Sequence, residues 1–206
     1  MGFYSQVILP RLLDWSLSDP TFGEYRQELL TDVKGEVLEI GFGTGLNLAF
    51  YPPQIQKITT IDINPGMNAF AKKRISESNI TVKQLMLSSE NLSILNNTFD
   101  SVVSTFTLCS IANVKQALQE IYRILKPGGR FFFLEHGLSD KHNIQVWQNR
   151  LTPIQKVIGD GCHLNRNIRE LIEEQFDEVE LQEFTPEKMS DIIAHLYKGI
   201  ATKSAT

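Results

Sequence analysis

An α/β fold, a single sheet with helices on both faces, is what this sequence predicts. Three observations carry that reading. Strand-like and helix-like segments alternate for most of the length. An early strand runs directly into three glycines and then a helix. The last two strand-like segments follow one another without a helix between them, which predicts an antiparallel closing pair. With 206 residues, 42% of them apolar, the chain has material for one core.

The elements follow in order. Helices are expected at 5–17 and 21–31, a strand at 36–40, a helix at 45–50, a strand at 57–62 and a helix at 66–76. "ITVKQLM" and "FDSVVSTF" read as the third and fourth strands, and "VKQALQEIYRIL" as an amphipathic helix. The turn at Pro127, Gly128 and Gly129 launches a fifth strand, "GRFFFLEHG". A helix near 141–157, a glycine-rich break "GDGCHLNR" and a helix from Asn165 come next, before "DEVELQEF" and "DIIAHLYKGIA" as consecutive strands. No repeat or low-complexity linker divides the chain, so a single domain over 1–206 is expected, and the break at Gly159 to Arg166 reads as a functional loop.

Composition excludes some roles. Twenty Lys and Arg against 24 Asp and Glu give a net charge of -4, the wrong sign for capture of a phosphate backbone, so no nucleic-acid partner is expected. The one basic run, Lys72, Lys73 and Arg74, reads as a solvated helix face. Cys109 and Cys162 are too few and too far apart for a disulfide framework or a cysteine-based zinc site, and a reduced, cytoplasmic setting accounts for them. No stretch approaches about 18 apolar residues, so neither export nor membrane insertion is expected.

The stretch "VLEIGFGTGLN" carries the chemistry. Gly41, Gly43 and Gly45 suggest a dinucleotide turn, but Leu46 stands where that pattern wants its last glycine. Two acidic residues point elsewhere: Glu39 precedes the turn, and Asp62 ends the second strand 21 residues after Gly41. A carboxylate at the tip of the second strand can accept both hydroxyls of a ribose. One on the first strand suits an ammonium and repels a phosphate. A phosphate-free cofactor with a ribose, an adenine and an amino-acid end fits both.

"VLEIGFGTG", "ITTIDINPGM", "SSENLSILNNTFDSVVSTFTLCSI" and "ALQEIYRILKPGGRFFFLEHG" together resemble the class I methyltransferases that use S-adenosylmethionine, of the methyltransferase type 11 group. The resemblance implies a Rossmann-like seven-stranded sheet, mostly parallel with an antiparallel last strand. It implies that Glu39 reaches the methionine ammonium through water, and that Gly41, Gly43, Thr44 and Gly45 let the backbone approach the cofactor. It places Asp62 on the ribose, with Ile63 and Met67 near the adenosine. Ser88 stands where the family usually has an acidic residue for the adenine amino group, followed by Ser89 and Glu90, and Thr105 offers a carbonyl to the ammonium. A finer resemblance, carried by "GTGLN", "FYPP", "TLCSI", "LEHG", "DGCHLNR" and "AHLY", is to the thiol methyltransferases, which act on small alkyl thiols. Within the single domain a cofactor-binding half is expected at 35–136 and an acceptor-side half at 137–206, and the amino-terminal helices at 1–34 are candidates for a cover over the cofactor.

Methyl transfer needs alignment and exclusion of water, and no metal is required. A thiol acceptor must reach its thiolate, so a basic neighbour helps. His136, His195 and Asp160 are the catalytic candidates, against plainer readings. His136 caps a strand end as readily as it lines a site, and Asp160 before Gly161 is ordinary turn chemistry. Cys162 reads as a small buried residue, Trp147 as core, and Arg166 as either an anion holder or an ion-pair partner of Glu170. Tyr4 and Trp15 are candidates for the cover. The acceptor is read as a small molecule, a thiol first; a quinone precursor or phospholipid amine is the enzymatic alternative, and non-catalytic cofactor binding the other.

Overall fold

The computed structural model describes residues 2–205, apart from the side chain of Asn68. Seven strands form one sheet: β1 (Val37–Ile40), β2 (Lys57–Ile61), β3 (Thr81–Leu85), β4 (Phe99–Thr105), β5 (Leu125–His136), β6 (Glu178–Phe184) and β7 (Leu196–Thr202). Their order is β3-β2-β1-β4-β5-β7-β6. Strands β1 to β5 pair in parallel, and β7 is antiparallel to both β5 and β6, as the resemblance implies. Strand order reverses at β1, which has β2 on one side and β4 on the other. In a parallel sheet the crevice beyond the carboxyl ends at such a reversal is where ligands bind.

Helices α1 (Leu9–Leu17), α2 (Pro20–Leu30), α3 (Pro65–Glu77), α4 (Val114–Ile124), α5 (His142–Ile158) and α6 (Ile168–Glu173), with a short α7 (Asp191–Ala194), complete the fold. The sheet separates two apolar clusters because successive strand residues face opposite ways. Phe131 and Phe133 of β5 join the cluster under α4 and α6, whereas Phe132 and Leu134 join the one under α2. Strand β1 is buried along its whole length, as a central parallel strand must be. Helix starts obey local chemistry: Asp19 caps α2 by accepting from Thr21 N–H at 2.9 Å, with Pro20 in the first turn.

Four local expectations change. The predicted helix at 45–50 is only a 3-10 turn, Leu46–Ala49. The amino-terminal helix begins as a wide π-helical turn, Tyr4–Ile8, before α1; Pro10 lacks the N–H that would bond the Gln6 carbonyl in an α-helix. "DIIA" is helical rather than extended, because Ala194 N–H bonds the Ser190 carbonyl at 2.9 Å and His195 contacts Asp191 one turn back; the strand starts at Leu196. Arg74 is not part of a solvated face. It donates to Asp14 on α1 and, at 3.0 Å, to the Thr44 carbonyl of the glycine turn, while Lys72 and Lys73 are exposed.

Candidate active site

At the carboxyl ends of β1, β2 and β4 lies a cavity of about 330 Å3, within the range of roughly 300 to 1,000 Å3 usual for small-molecule sites. Its floor is the glycine turn. Gly41, Gly43 and Gly45 all have positive φ, at 67°, 56° and 79°, and they serve different ends. A Cβ on Gly41 would lie 2.1 Å from Thr107 Oγ1, so that glycine permits β1 and β4 to close. A Cβ on Gly43 would meet only the Gly41 carbonyl, at 3.7 Å, and would stand in the cavity. Gly45 does not line the cavity; its absent Cβ makes room for the Phe42 ring, which corrects its expected role.

Glu39, 1% exposed, lines the cavity. Its Oε2 accepts from the Tyr51 hydroxyl at 2.7 Å and its Oε1 from Asn47 Nδ2 at 2.9 Å. Burial pushes its carboxyl from 4.5 up to about 7, opposed by those two hydrogen bonds and by the Arg26 charge. Arg26 does not pair with Glu39 directly. It donates to Asn47 Oδ1 at 3.1 Å and to the Leu17 carbonyl at 2.9 Å, and its guanidinium lies over the Phe106 ring. Asn47 also donates to Thr105 Oγ1 at 3.1 Å. A buried carboxylate with donors behind it and open space in front is suited to a ligand cation.

Asp62 also lines the cavity. Its Oδ2 accepts from Gly43 N–H at 2.8 Å and its Oδ1 from Asn64 N–H at 2.7 Å. Burial raises its pKa, and these backbone donors oppose the rise. A carboxylate has about four acceptor positions, so capacity remains for ligand hydroxyls. Met67 and the exposed Ile63 flank it. Thr44, Ser88, Ser89, Glu90 and Thr105 also line the cavity. Ser88 is engaged with Glu90 at 3.3 Å, and Glu90 accepts from Asn113 N–H.

The other wall comes from the segment after β4, with Phe106, Thr107 and Ser110 to Ala112, and from Gly159 and Asp160 of the predicted functional loop. Phe106 has a φ of 52°, unusual for an aromatic residue and a conformation that clusters at functional sites. The buried carboxylate of Glu135 sets this segment by accepting from Ser104 Oγ at 2.7 Å and from the N–H groups of Thr107 and Leu108. Leu9, Leu13 and Leu17 of α1 also line the cavity.

Of the catalytic candidates only Asp160 reaches the cavity, at its mouth, where its carboxylate accepts from Ser5 Oγ at 3.4 Å. His195 is a structural residue between β6 and α7: Nδ1 lies 3.2 Å from Asp191 and Nε2 3.5 Å from Glu183. His136 lies behind the wall, its Nε2 3.0 Å from Cys162 Sγ, and does not line the cavity. Arg166 neither meets an anion nor pairs with Glu170; it donates to the carbonyls of Leu108 and Ile111. Trp147 lies at the surface with Arg150 over its ring rather than in the core. Tyr4 anchors the cover to the Ile158 carbonyl at 2.7 Å, but Trp15, 81% exposed, faces away from the cavity. Arg26, Asn47, Tyr51 and Glu135 were not legible as site residues. Asn47 and Tyr51 do sit within "GTGLN" and "FYPP", and Glu135 ends an otherwise apolar strand.

Comparison with known proteins shows the family and the fold. The methyltransferase domain family matches residues 38–133. Thiol S-methyltransferase TMT1B of Rattus norvegicus is 41% identical over 74% of this chain and 66% of its own length. Thiol S-methyltransferase TMT1A of Homo sapiens is 35% identical over 82% of this chain and 71% of its own. The chain thus spans about two thirds of the length of these relatives. Among solved structures, an S-adenosylmethionine-dependent methyltransferase of Thermotoga maritima shares the fold, with a TM-score of 0.66 at 20% identity over 96% of this chain and 99% of that one. So does phosphoethanolamine N-methyltransferase 2 of Haemonchus contortus, solved with S-adenosylhomocysteine, at a TM-score of 0.63 and 16% identity over 96% of this chain and 61% of that one.

Proposed function

The chain belongs to the S-adenosylmethionine-dependent methyltransferases, and on that premise we propose that it methylates a small thiol by direct in-line transfer. The observation that carries the cofactor half is that two carboxylates, Glu39 and Asp62, line one cavity together with Gly43. The residues fit the cofactor. Glu39 is a buried acid that a cation would hold ionised, Asp62 keeps acceptor capacity for ribose hydroxyls, and the missing Cβ of Gly43 leaves room for close approach. When bound, S-adenosylmethionine supplies an electrophilic methyl group on a sulfonium.

The protein's own residues then bind, orient and exclude water. Tyr51 and Asn47, the latter backed by Arg26, hold the Glu39 carboxylate that would receive the ammonium. Ile63, Met67, Ser88 to Glu90 and Thr105 line the same cavity; Ile63 and Met67 would flank the adenosine, Ser88 to Glu90 would border the adenine, and Thr105 would offer its carbonyl to the ammonium. Leu9, Leu13 and Leu17 close the top and keep the site dry, which matters where two reactants must align without solvent. The acceptor enters by Ser110 to Ala112 and Asp160. Its thiol would lose its proton to solvent at the mouth, and the thiolate would take the methyl group as the donor's methyl–sulfonium bond breaks and S-adenosylhomocysteine leaves. A thiol as acceptor is supported by the names of the relatives above.

The deciding experiment is methyl transfer from labelled cofactor to a panel of thiols, phenols and amines. Label in a thioether product supports the proposal, and label only in phenols or amines refutes it. Among the described residues no helix is long and apolar enough to cross a membrane. The compartment we propose is the cytoplasm, on the unpaired state of Cys109 and Cys162; recovery of the native protein only from an oxidising compartment would count against it.

A further inference from the structure

Behind the acceptor-side wall, three side chains that the proposed chemistry does not use come together. Cys109 Sγ, Cys162 Sγ and a ring nitrogen of His136 all lie within 4.8 Å of one another. They come from three separate stretches: the turn after β4, the carboxyl end of β5 and the loop after α5. Fifty-three residues separate the two cysteines in sequence, which is why no spacing motif announces them.

We infer that Cys109, His136 and Cys162 form a binding site for a thiophilic divalent cation of the zinc type, which ties together the two loops on the acceptor side of the cavity. The donor set is the first argument. Two thiolates and one imidazole suit zinc and its soft neighbours and are the wrong donors for magnesium or calcium, which take oxygen. Distance is the second. Tetrahedral zinc, with bonds of about 2.3 Å to sulfur and about 2.0 Å to nitrogen, sets its ligand atoms roughly 3.3 to 3.8 Å apart. His136 Nε2 and Cys162 Sγ are 3.0 Å apart, and no pair in the cluster exceeds 4.8 Å, so small side-chain adjustments reach the ligating geometry.

Charge is the third argument. Cys109 and Cys162 are 3% and 6% exposed, a setting hostile to lone thiolates. Two thiolates, a neutral imidazole and a divalent cation sum to zero. Outer partners are already in place: Gln155 Nε2 lies 3.6 Å from Cys162 Sγ, and Ser110 Oγ 3.5 Å from Cys109 Sγ. Three protein ligands leave one tetrahedral position for water. The consequence for the site is mechanical. Ser110 follows Cys109 and lines the cavity, as do Gly159 and Asp160 just ahead of Cys162, so a cation across the sulfurs fixes one acceptor wall relative to the other.

The test uses the untagged full chain, stripped of metal by a chelator in the presence of reductant and then titrated with Co2+ followed by Zn2+. One equivalent of Co2+ is expected to give thiolate-to-cobalt charge-transfer absorption, and Zn2+ to abolish it. Zn2+ is expected to raise the melting temperature and to slow amide exchange across residues 159–166. Cys109→Ser and Cys162→Ser should each weaken binding at least about tenfold. Absence of the charge-transfer band in the folded wild-type chain overturns the inference, as does a band that survives in both serine variants. So does a Cys109–Cys162 disulfide that persists in reductant. The wild-type titration decides the matter even where a variant fails to fold, and none of these readings depends on methyl transfer.

Discussion

Arg74 on α3 grips the carboxylate of Asp14 on α1 with two nitrogens, Nη1 at 2.7 Å and Nη2 at 3.2 Å. The same Nη1 donates to the Thr44 carbonyl at 3.0 Å, so one guanidinium joins the cover to the floor of the cavity. Burial would raise the Asp14 pKa, but the Arg74 and Thr44 hydrogen bonds outweigh it and hold the carboxyl below its ordinary value. Partly exposed ion pairs contribute about 1 kcal/mol or less. Asp14→Ala should therefore leave the fold intact, speed amide exchange across residues 4–17 and weaken cofactor binding by about fivefold at most. Unchanged exchange would mean that the leucines of α1 hold the cover without the ion pair.

Asp62→Ala should lower cofactor affinity at least about tenfold, because charge-assisted hydrogen bonds are each worth roughly 1.5 to 3 kcal/mol. The same change frees the N–H groups of Gly43 and Asn64, so Asp62→Asn is the sharper variant: it keeps an acceptor oxygen and should recover part of the loss. Calorimetric titration with S-adenosylhomocysteine reads both. Wild-type affinity in a folded Asp62→Ala protein would place the ribose elsewhere.

The glycines of the turn should separate by phenotype. Gly41→Val drives its Cβ to 2.1 Å from Thr107 Oγ1 and should unfold the chain or lower its melting temperature sharply. At Gly43 an added Cβ meets no protein side chain within 4 Å, so Gly43→Val has room that Gly41→Val lacks. It costs about 1 to 2 kcal/mol for positive φ, and should keep the fold while blocking the cofactor. Equal stability losses with equal residual binding would show that both glycines are only turn residues.

That separation was not visible in the sequence, where three glycines in five residues look alike. What could be read were features fixed by local rules: alternation of segments, the Pro127 to Gly129 turn, and acids at the ends of β1 and β2. What could not be read depends on packing across the sheet. Arg74 reads as a surface charge until α1 is laid beside α3, and Tyr51 as core until its hydroxyl meets Glu39. His195 reads as catalytic because a basic neighbour would help a thiol ionise, yet it lies between Asp191, 3.2 Å from Nδ1, and Glu183, 3.5 Å from Nε2, rather than in the cavity. Helix 45–50 failed for a plainer reason: Gly45, at a φ of 79°, opens a turn that the following residues close within one 3-10 loop.

Glu39 should make both stability and cofactor binding depend on pH, in opposite directions. Its pKa in the fold, about 7, lies above the ordinary 4.5. The folded state therefore binds the proton more tightly, and this group's contribution to stability is full below about 4.5 and lost as pH rises through about 7. A ligand ammonium needs the ionised form, so cofactor affinity should climb from pH 6 to pH 7.5, before an α-amino group of pKa about 7.7 to 8.0 begins to lose its own proton. Glu39→Gln should flatten the climb and weaken binding above pH 7. A rise of the same size and midpoint in Glu39→Gln would assign it to another group.

The acceptor's own ionisation should set the pH dependence of turnover. Among the described residues no histidine lines the cavity, so no imidazole is placed to take the thiol proton. At subsaturating thiol the rate should rise with pH until the acceptor pKa, about 8.5 for a simple thiol, is passed. A thiol of lower pKa should carry the rise to lower pH by the same interval. His195→Ala should lower the melting temperature, since it removes the group between Asp191 and Glu183, and leave the midpoint of the pH profile unmoved. Asp160→Asn should slow transfer by a similar factor at every pH, as a positioning residue at the mouth does, because a carboxylate there can orient the incoming molecule but is too weak a base for a thiol. A midpoint that ignores the acceptor pKa, or that moves in His195→Ala, would mean that the protein supplies a base after all. No transfer to any of a broad set of thiols would end the thiol assignment and leave the methyltransferase fold and its cofactor site standing.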